Sequence, residues 1–205
     1  GARKGLLYDG LLDDGTCAQL LALVEEDREL PMRAGRVRAA SRRLSERVPT
    51  DLARPIARTA PDQSNTSVFF GKRLVMKLFR RIEPGPNPDL EMSDFLARHH
   101  FARIPPLAGA MEYARDGEEP AAVAMLQQYM YNQGNGWQVT IEELGRYFER
   151  VVTLPPPAPV GQVLSDPPAP PDEVAQAIGT YLTLADVLGR RTGELHARLA
   201  DDAGD

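Results

Sequence analysis

The sequence predicts an α+β fold in which one helix packs against an antiparallel sheet. Three observations support this fold class. Short segments with the alternating or apolar pattern of strands follow one another between residues 54 and 131. Hairpin-like turns, at Gly71-Lys72 and at residues 115–119, separate neighbouring segments. A single helical segment interrupts the strands and begins at Pro88, after the capping residue Asn87.

The composition is that of an ordinary soluble globular protein, with 42% hydrophobic and 26% charged residues. The net charge of -5 argues against nucleic acid as the main partner, because such binding requires the neutralisation of many phosphates. No apolar run approaches the roughly 20 residues that span a bilayer, and the N-terminus lacks the apolar core of a signal peptide. We therefore expect a cytoplasmic protein with no membrane partner.

Residues 1–52 are predicted to form a small leading cap subdomain. Its first element is a helix from Asp14 to Glu26, which Thr16 would cap and whose apolar stripe includes Cys17. Since Cys17 is the only cysteine, no internal disulfide is possible, and a buried thiol is expected. The arginine-rich stretch that follows, from residue 33 to residue 58, is either a solvated face or a docking patch for an anion or a partner.

Residues 53–133 are predicted to carry the sheet and its helix. The expected strands and helix, in chain order, are Arg54–Thr59, Ser67–Phe70, Leu74–Phe79, the helix Pro88–His100, Ile104–Ala114 and Ala121–Tyr131. Pro55 places the first of these strands at an edge of the sheet, because proline cannot donate a ladder hydrogen bond.

Three further segments follow the sheet. In residues 134–153, Thr140 and Glu143 form a capping box that predicts a helix. Residues 154–171 hold eight of the 18 prolines and predict an extended connector. In residues 172–205, apolar side chains recur at steps of three and four, which predicts one long amphipathic helix.

Lys77 is the unusual residue of the strand Leu74–Phe79. Because side chains alternate along a strand, Lys77 lies on one face together with Val75 and Phe79, while the other face is wholly apolar. An ammonium on an apolar face costs free energy unless it meets an anion. Lys77 is therefore either a ligand for an anionic partner or an edge-strand lysine that extends to water.

The nucleotide half of a protein-kinase-like fold has three recognisable parts. They are a lysine on a strand, a polar loop before that strand and an acid early in the next helix. Phosphoryl transfer needs a cation on the phosphates, a carboxylate that holds this cation, and backbone N–H groups over the phosphate oxygens. Lys77, Glu91 and the loop Gln63–Ser67 could supply these three parts. The loop has no GxGxxG pattern, so small hydroxyl and amide residues would do the cradling.

Three runs in the chain resemble one known family. They are QSNTSVFFGKRLVMKLFRRIEPGPNPDLEMSDFL (63–96), LQQYMYNQGNGW (126–137) and LGRRTGELHARLA (188–200). Together they resemble the N-terminal half of bacterial maltokinases, in particular those fused to the C-terminus of trehalose synthase. That family joins a cap subdomain, a kinase-like N-lobe and a helical C-lobe, and uses ATP and Mg2+ to phosphorylate maltose at its anomeric hydroxyl for α-glucan synthesis.

The resemblance implies a role for each of several residues. Lys77 would hold the phosphates, Glu91 would be its partner on the helix, and residues 126–130 would be the hinge whose backbone meets adenine. The ATP-binding residues expected besides Lys77 and Glu91 are Gln63, Ser64, Asn65, Thr66, Ser67, Gln128, Tyr129 and Met130. Two residues depart from the family pattern: Asp62 replaces a glutamate, and Gln128 stands where a glycine is frequent.

The catalytic half of a kinase is not recognisable in this chain. A catalytic loop needs a histidine near an aspartate base and an asparagine, and no asparagine follows Asn135. We therefore expect a catalytically inactive segment whose partners are a nucleotide, a missing C-lobe and a trehalose synthase domain, with the Mg2+ ligands in that C-lobe. The alternative is a non-catalytic docking module for a trehalose synthase or a glucan-metabolising enzyme. A His-Gly-Asp type segment downstream of Asp205 would favour the kinase.

Overall fold

A computed structural model describes residues 5–42, 53–59, 65–154 and 172–200 of the protein. The chain divides into two compact units, Gly1–Tyr131 and Asn132–Asp205. The first unit contains the sheet and the second contains helices, so we describe each by itself. Most of the predicted proline-rich connector, together with Gln63 and Ser64, lies outside the described residues.

Within its described residues, the sheet unit contains two α-helices and seven strands. In chain order they are α1 (Asp14–Glu25), β1 (Glu29–Met32), β2 (Gly35–Ser41), β3 (Ile56–Arg58), β4 (Asn65–Phe70), β5 (Leu74–Phe79), α2 (Pro88–Arg98), β6 (Leu107–Ala114) and β7 (Ala121–Gln128). A short 3-10 turn at Gly10–Leu12 precedes α1. The α+β class predicted from the sequence is confirmed.

All seven strands form one antiparallel sheet in the order β1-β2-β6-β7-β5-β4-β3. β1 and β2 come from the segment predicted as a cap, yet β2 pairs with β6 along six residues. The predicted cap and the predicted N-lobe therefore share one sheet. β3 is an edge strand and follows Pro55, as the sequence predicts.

One face of this sheet, which we call the covered face, packs against α1. Its core includes Phe70, Leu74 and Met76 from β4 and β5, each at most 1% exposed, and Cys17 and Val24 from α1. The burial of Cys17, at 0% exposure, agrees with the prediction of a buried thiol. The predicted single covering helix was incomplete, because α1 packs against the sheet in addition to α2.

Both ends of α1 are held by carboxylates. Asp13 caps the helix by accepting a hydrogen bond from the Thr16 N–H, so Asp13 replaces the predicted cap Thr16. Asp27, directly after the helix, accepts hydrogen bonds from the Ser41 N–H (2.5 Å) and hydroxyl (2.9 Å). The backbone and hydroxyl donors of Thr16 lower the pKa of Asp13, and those of Ser41 lower the pKa of Asp27.

Arg58 of the edge strand β3 adds a third attachment to α1. Its guanidinium lies 2.6 Å from Asp14 and donates to the Leu11 carbonyl, also at 2.6 Å. The hydrogen bond to Asp14 is the main reason why the pKa of Arg58 is raised. α1 is thus fastened to the covered face from β2 at one end and from β3 at the other.

The second face of the sheet carries Lys77, and we call it the Lys77 face. The register places Ala40, Ala110, Met125, Lys77 and Ser67 in one row across five strands. α2 packs against β6, and its Asp94 forms an ion pair (3.9 Å) with Arg42 beyond the end of β2. Asn87 caps α2 with Pro88 in the first turn, as the sequence predicts.

The helical unit contains α3 (Gly136–Val151), α4 (Asp172–Ile178) and α5 (Tyr181–Ala200). α3 begins earlier than its predicted capping box, because Asn135 caps it by accepting from the Gln138 N–H. The predicted single long helix is two helices, since Gly179 has a left-handed φ of 67° that interrupts them. In the described ranges, no helix combines the length and apolar character that crossing a membrane requires.

Candidate functional site

Lys77 lies in the middle of β5, between two neighbouring strands. Its register partners are Ser67 on β4 and Met125 on β7, and its side chain is half-buried. Among the described residues, Lys77 forms no hydrogen bond and no ion pair. In the described part of the chain, the ammonium of Lys77 thus has no partner, and it lies on a partly open sheet face where a bound anion would meet a cation partly shielded from water.

The last three residues of the predicted phosphate loop, Asn65, Thr66 and Ser67, belong to β4 itself, and the first two lie outside the described residues. Asn65 and Ser67 fall on the Lys77 face, because their register partners are Phe79 and Lys77. The Thr59 N–H donates to the Ser67 carbonyl (3.3 Å), which closes the base of the connection between β3 and β4. Asn65 and Ser67 are thus the described members of the predicted loop whose side chains share a face with Lys77.

Thr66 lies on the opposite side of β4 from the predicted phosphate site. It pairs with Leu78, which packs against the core of the covered face. Its hydroxyl accepts hydrogen bonds from Nε and Nη2 of Arg80, both at 3.2 Å. The side chain of Thr66 thus contacts Arg80, and a contact between Thr66 and a phosphate would have to use its backbone.

Glu91 is exposed in the first turn of α2 and does not pair with Lys77 in the described part of the chain. It lines a groove of about 350 Å³ between α2 and the sheet. The other carboxylates of this groove are Asp94, Glu112 and Glu119. The acid of α2 that reaches the end of β2 is Asp94, which forms an ion pair with Arg42 and a second one, within α2, with Arg98. The predicted pairing of Lys77 with Glu91 is therefore not formed in this structure.

A second row of residues crosses the Lys77 face next to the first. Phe69, Val75 and Gln127 are register partners across β4, β5 and β7. The ring of Tyr129 meets the ring of Phe69 edge to face, with 6.1 Å between centroids. Phe69, Val75 and Tyr129 are half-buried, so they form an apolar, aromatic surface that is partly open.

Gln127 is the polar member of this row and is only 9% exposed. The sequence interpretation missed it and chose Gln128 instead. Gln128 is exposed, and it pairs with Leu74, whose side chain belongs to the covered face. The alternation of side chains from Met125 to Gln127 could have identified Gln127, because Met125 is the register partner of Lys77.

The predicted hinge leaves the sheet after β7. The Gln128 N–H donates to the Pro106 carbonyl (2.9 Å), and the Tyr129 N–H donates to the Arg73 carbonyl (2.7 Å). These two donors are thus already bonded within the protein. Any contact between this segment and an adenine base would use its other backbone groups, including those of the exposed Met130.

No family model matches the chain. Solved structures of glucosamine kinase resemble it at 21–22% sequence identity, with TM-scores of 0.55 and 0.56. One of them is a complex of glucosamine kinase with glucosamine, ADP and inorganic phosphate. The similarity covers 92% of this chain but only 35–37% of those proteins, so the chain spans about a third of their length. At this identity the comparison shows the fold alone, which is similar to that of a sugar kinase.

Proposed function

We propose that the Lys77 face binds a nucleotide and that the chain is the ATP-binding part of a sugar kinase. The observation that carries this proposal is the half-buried ammonium of Lys77, which has no partner among the described residues and lies between Ser67 and Met125. An ammonium in this setting gains most from a phosphate, because the charge-assisted hydrogen bond replaces its lost hydration.

The similarity to glucosamine kinases supports the same proposal. The chain matches them along 92% of its length, and one of those structures contains ADP and inorganic phosphate. The acceptor sugar would be maltose, as the resemblance of residues 63–96 and 126–137 to maltokinases implies. The reaction would then form maltose 1-phosphate from ATP and maltose.

The remaining parts of such a kinase would come from a C-lobe outside this chain and, by the same resemblance, from a fused trehalose synthase domain. Mg2+ prefers several oxygen ligands, and among the described residues no three His, Cys, Asp or Glu side chains converge on one point. The C-lobe would therefore supply the Mg2+ ligands. It would also cover apolar side chains that α3 exposes: Trp137, Ile141, Leu144 and Phe148.

A nucleotide titration tests the proposal. We expect calorimetry to show binding of ADP and ATP to the 205-residue chain, and we expect Lys77→Met to weaken it by roughly tenfold to a hundredfold, because a hydrogen bond to a charged group contributes about 1.5–3 kcal/mol. The matched control is Lys72→Met, since Lys72 is exposed in the turn between β4 and β5. Equal binding by the wild type and Lys77→Met would reject the role of Lys77.

The incompleteness of the kinase is tested separately. When the chain is incubated with ATP, Mg2+ and maltose, we expect no maltose 1-phosphate in the phosphorus NMR spectrum, because no catalytic base is recognisable. Formation of a sugar phosphate by the chain alone would show that the chemistry needs no further lobe.

The exposed apolar side chains of α3 also favour a second candidate, a docking module for a trehalose synthase or a glucan-metabolising enzyme. This candidate predicts no nucleotide binding. The titration therefore separates the two functions.

A further inference from the structure

Gln127 has a largely buried amide side chain on the Lys77 face. Gln127 is 91% buried, and its amide forms no hydrogen bond with any described residue. Among the described residues, no side-chain nitrogen or oxygen atom is both fully buried and without a hydrogen-bond partner. The amide of Gln127 is therefore accessible from the surface of the Lys77 face. An amide that is largely enclosed but still reaches the surface can complete its hydrogen bonds with water or with a ligand on the Lys77 face.

The spacing between Gln127 and Lys77 would allow one nucleotide to contact both residues, with its base at Gln127 and its phosphates at Lys77. The register partners of Gln127 and Lys77 are Val75 and Met125, so the two residues lie diagonally, one pleat repeat apart. Two residues along a strand span about 6.6 Å. If Lys77 holds a phosphate, the base would extend along the face toward Val75 and Gln127, away from the connection between β3 and β4.

The surroundings of Gln127 are suited to a flat aromatic ring. Phe69 and Val75 cross the sheet in the same row, and Tyr129 lies against Phe69. These side chains are half-buried and offer an apolar surface on which a base can stack. Gln127 is the side chain among these four that carries a separate donor and acceptor side by side, since Tyr129 offers a single hydroxyl group.

We infer that Gln127 reads the nucleobase and gives the site a preference for adenine over guanine, an inference that rests on the proposed nucleotide site. A glutamine amide offers one donor and one acceptor side by side. Adenine presents the complementary pair at N6 and N7, whereas guanine presents two acceptors at O6 and N7. An amide at this place therefore completes two hydrogen bonds with adenine and fewer with guanine.

The test compares ADP, GDP and inorganic tripolyphosphate by calorimetry on the 205-residue chain. We expect the wild type to bind ADP roughly tenfold more tightly than GDP, the size of one well-formed amide–base pair. Gln127→Leu should bring the ADP and GDP affinities together and leave tripolyphosphate binding unchanged. The control Gln19→Leu removes an exposed amide from α1, on the covered face, and should keep the wild-type preference for ADP.

The outcomes separate this inference from the proposed function. A wild type that binds no nucleotide rejects both. A wild type that binds ADP and GDP equally, or a Gln127→Leu variant that keeps the ADP preference, rejects the role of Gln127 and leaves the Lys77 site intact. If Gln127→Leu also weakens tripolyphosphate binding, the residue supports the fold of the whole face, and its assignment as a base reader is overturned.

Discussion

The two faces of one sheet differ in how completely they are closed. On the covered face, Phe70, Leu74 and Met76 of β4 and β5 belong to the same core as the buried side chains of α1 and are at most 1% exposed. On the Lys77 face, Ser67, Phe69 and Lys77 of the same two strands remain half-buried. Neighbouring residues along one strand therefore have different surroundings. The covered face is part of the hydrophobic core, whereas the Lys77 face is a partly open surface that carries the candidate site.

Because of this difference, we expect the covered face to determine the stability of the sheet unit and the Lys77 face to determine ligand binding. Burial of apolar area contributes about 25 cal/mol per Å², and most of that area in β4 and β5 lies on the covered face. The Lys77 face can therefore hold an ammonium and a largely buried amide that have no partner among the described residues, because burial on the covered face offsets the cost. Substitutions on the two faces should affect different measurements.

The largest expected effect comes from Phe70, compared with its neighbour Phe69. Phe70→Ala should lower the free energy of unfolding of the sheet unit by about 3–5 kcal/mol, because it empties a site that is fully buried. Phe69→Ala removes a half-buried ring and should cost only about 1–1.5 kcal/mol. Hydrogen exchange of the β5 and β7 amides reports on this unit and measures both values.

In a nucleotide titration, the order of the two effects should be reversed. Phe69→Ala should weaken ADP binding, since its ring lies beside Val75 and Tyr129, while the fraction of Phe70→Ala that remains folded should bind normally. Equal losses of stability in the two variants would contradict the distinction between the faces.

The sequence predicted which side chains of β5 share a face of the sheet, but not which elements pack against each face. Alternation in Leu74–Phe79 assigned Lys77 to the face opposite Leu74 and Met76, and the register agrees. The joining of β1 and β2 to β6 could not be predicted, because pairing between strands about 70 residues apart leaves no local pattern. The missing pair between Lys77 and Glu91 was also beyond prediction, because the spacing of acids in α2 does not reveal that Asp94 is the one that meets Arg42.

Gly109 tests how closely α1 covers its face. A Cβ at this position in β6 would overlap Val24 of α1 and lie 2.8 Å from the Ala40 carbonyl oxygen. Gly109→Ala should therefore destabilise the sheet unit by about 1–3 kcal/mol, the usual cost of overpacking. The unfolding free energy from hydrogen exchange of β6 provides the measurement.

Gly145→Ala is the control for Gly109→Ala, because a Cβ at Gly145 in α3 meets no atom within 4 Å. It should leave exchange in the sheet unchanged and favour α3 by about 0.5–1 kcal/mol. If Gly109→Ala were as harmless to the sheet as Gly145→Ala, the close contact between α1 and β6 would be disproved.

The first residues of the helices were also difficult to predict from local sequence patterns. Thr16 and Thr140 both fit capping patterns, yet Asp13 and Asn135 cap α1 and α3. Both true caps lie three to five residues earlier and are themselves good capping residues, so the pattern offered two starting points for each helix. The acidic cap of α1 has a consequence that a threonine cap would not have, since its charge depends on pH.

Asp13 and Asp27 should make the covering of the sheet sensitive to acid, which is the smallest effect expected here. Their pKa values lie below the ordinary 3.8, because N–H and hydroxyl donors of Thr16 and Ser41 favour the carboxylates. A lowered folded-state pKa adds stability that is fully present above about pH 4 and is lost as the pH falls through the folded-state values. Urea midpoints of the wild type should therefore decline below pH 4.

Asp27→Asn removes one of these two contributions and gives the decisive comparison. The variant should be less stable than the wild type at pH 7, and the difference should shrink as the pH falls below 4, because the wild type then loses the contribution that the variant already lacks. Asp116→Asn is the charge control, because its fully exposed carboxylate lies 3.8 Å from Arg36 of β2 but, in the described part of the chain, accepts no hydrogen bond from α1 or β2. A constant difference between wild type and Asp27→Asn from pH 7 to pH 2.5 would show that the bond from Asp27 to Ser41 acts through its geometry rather than its charge. Nucleotide binding at pH 7 should be equal in all three proteins, since α1 and Lys77 lie on opposite faces of the sheet.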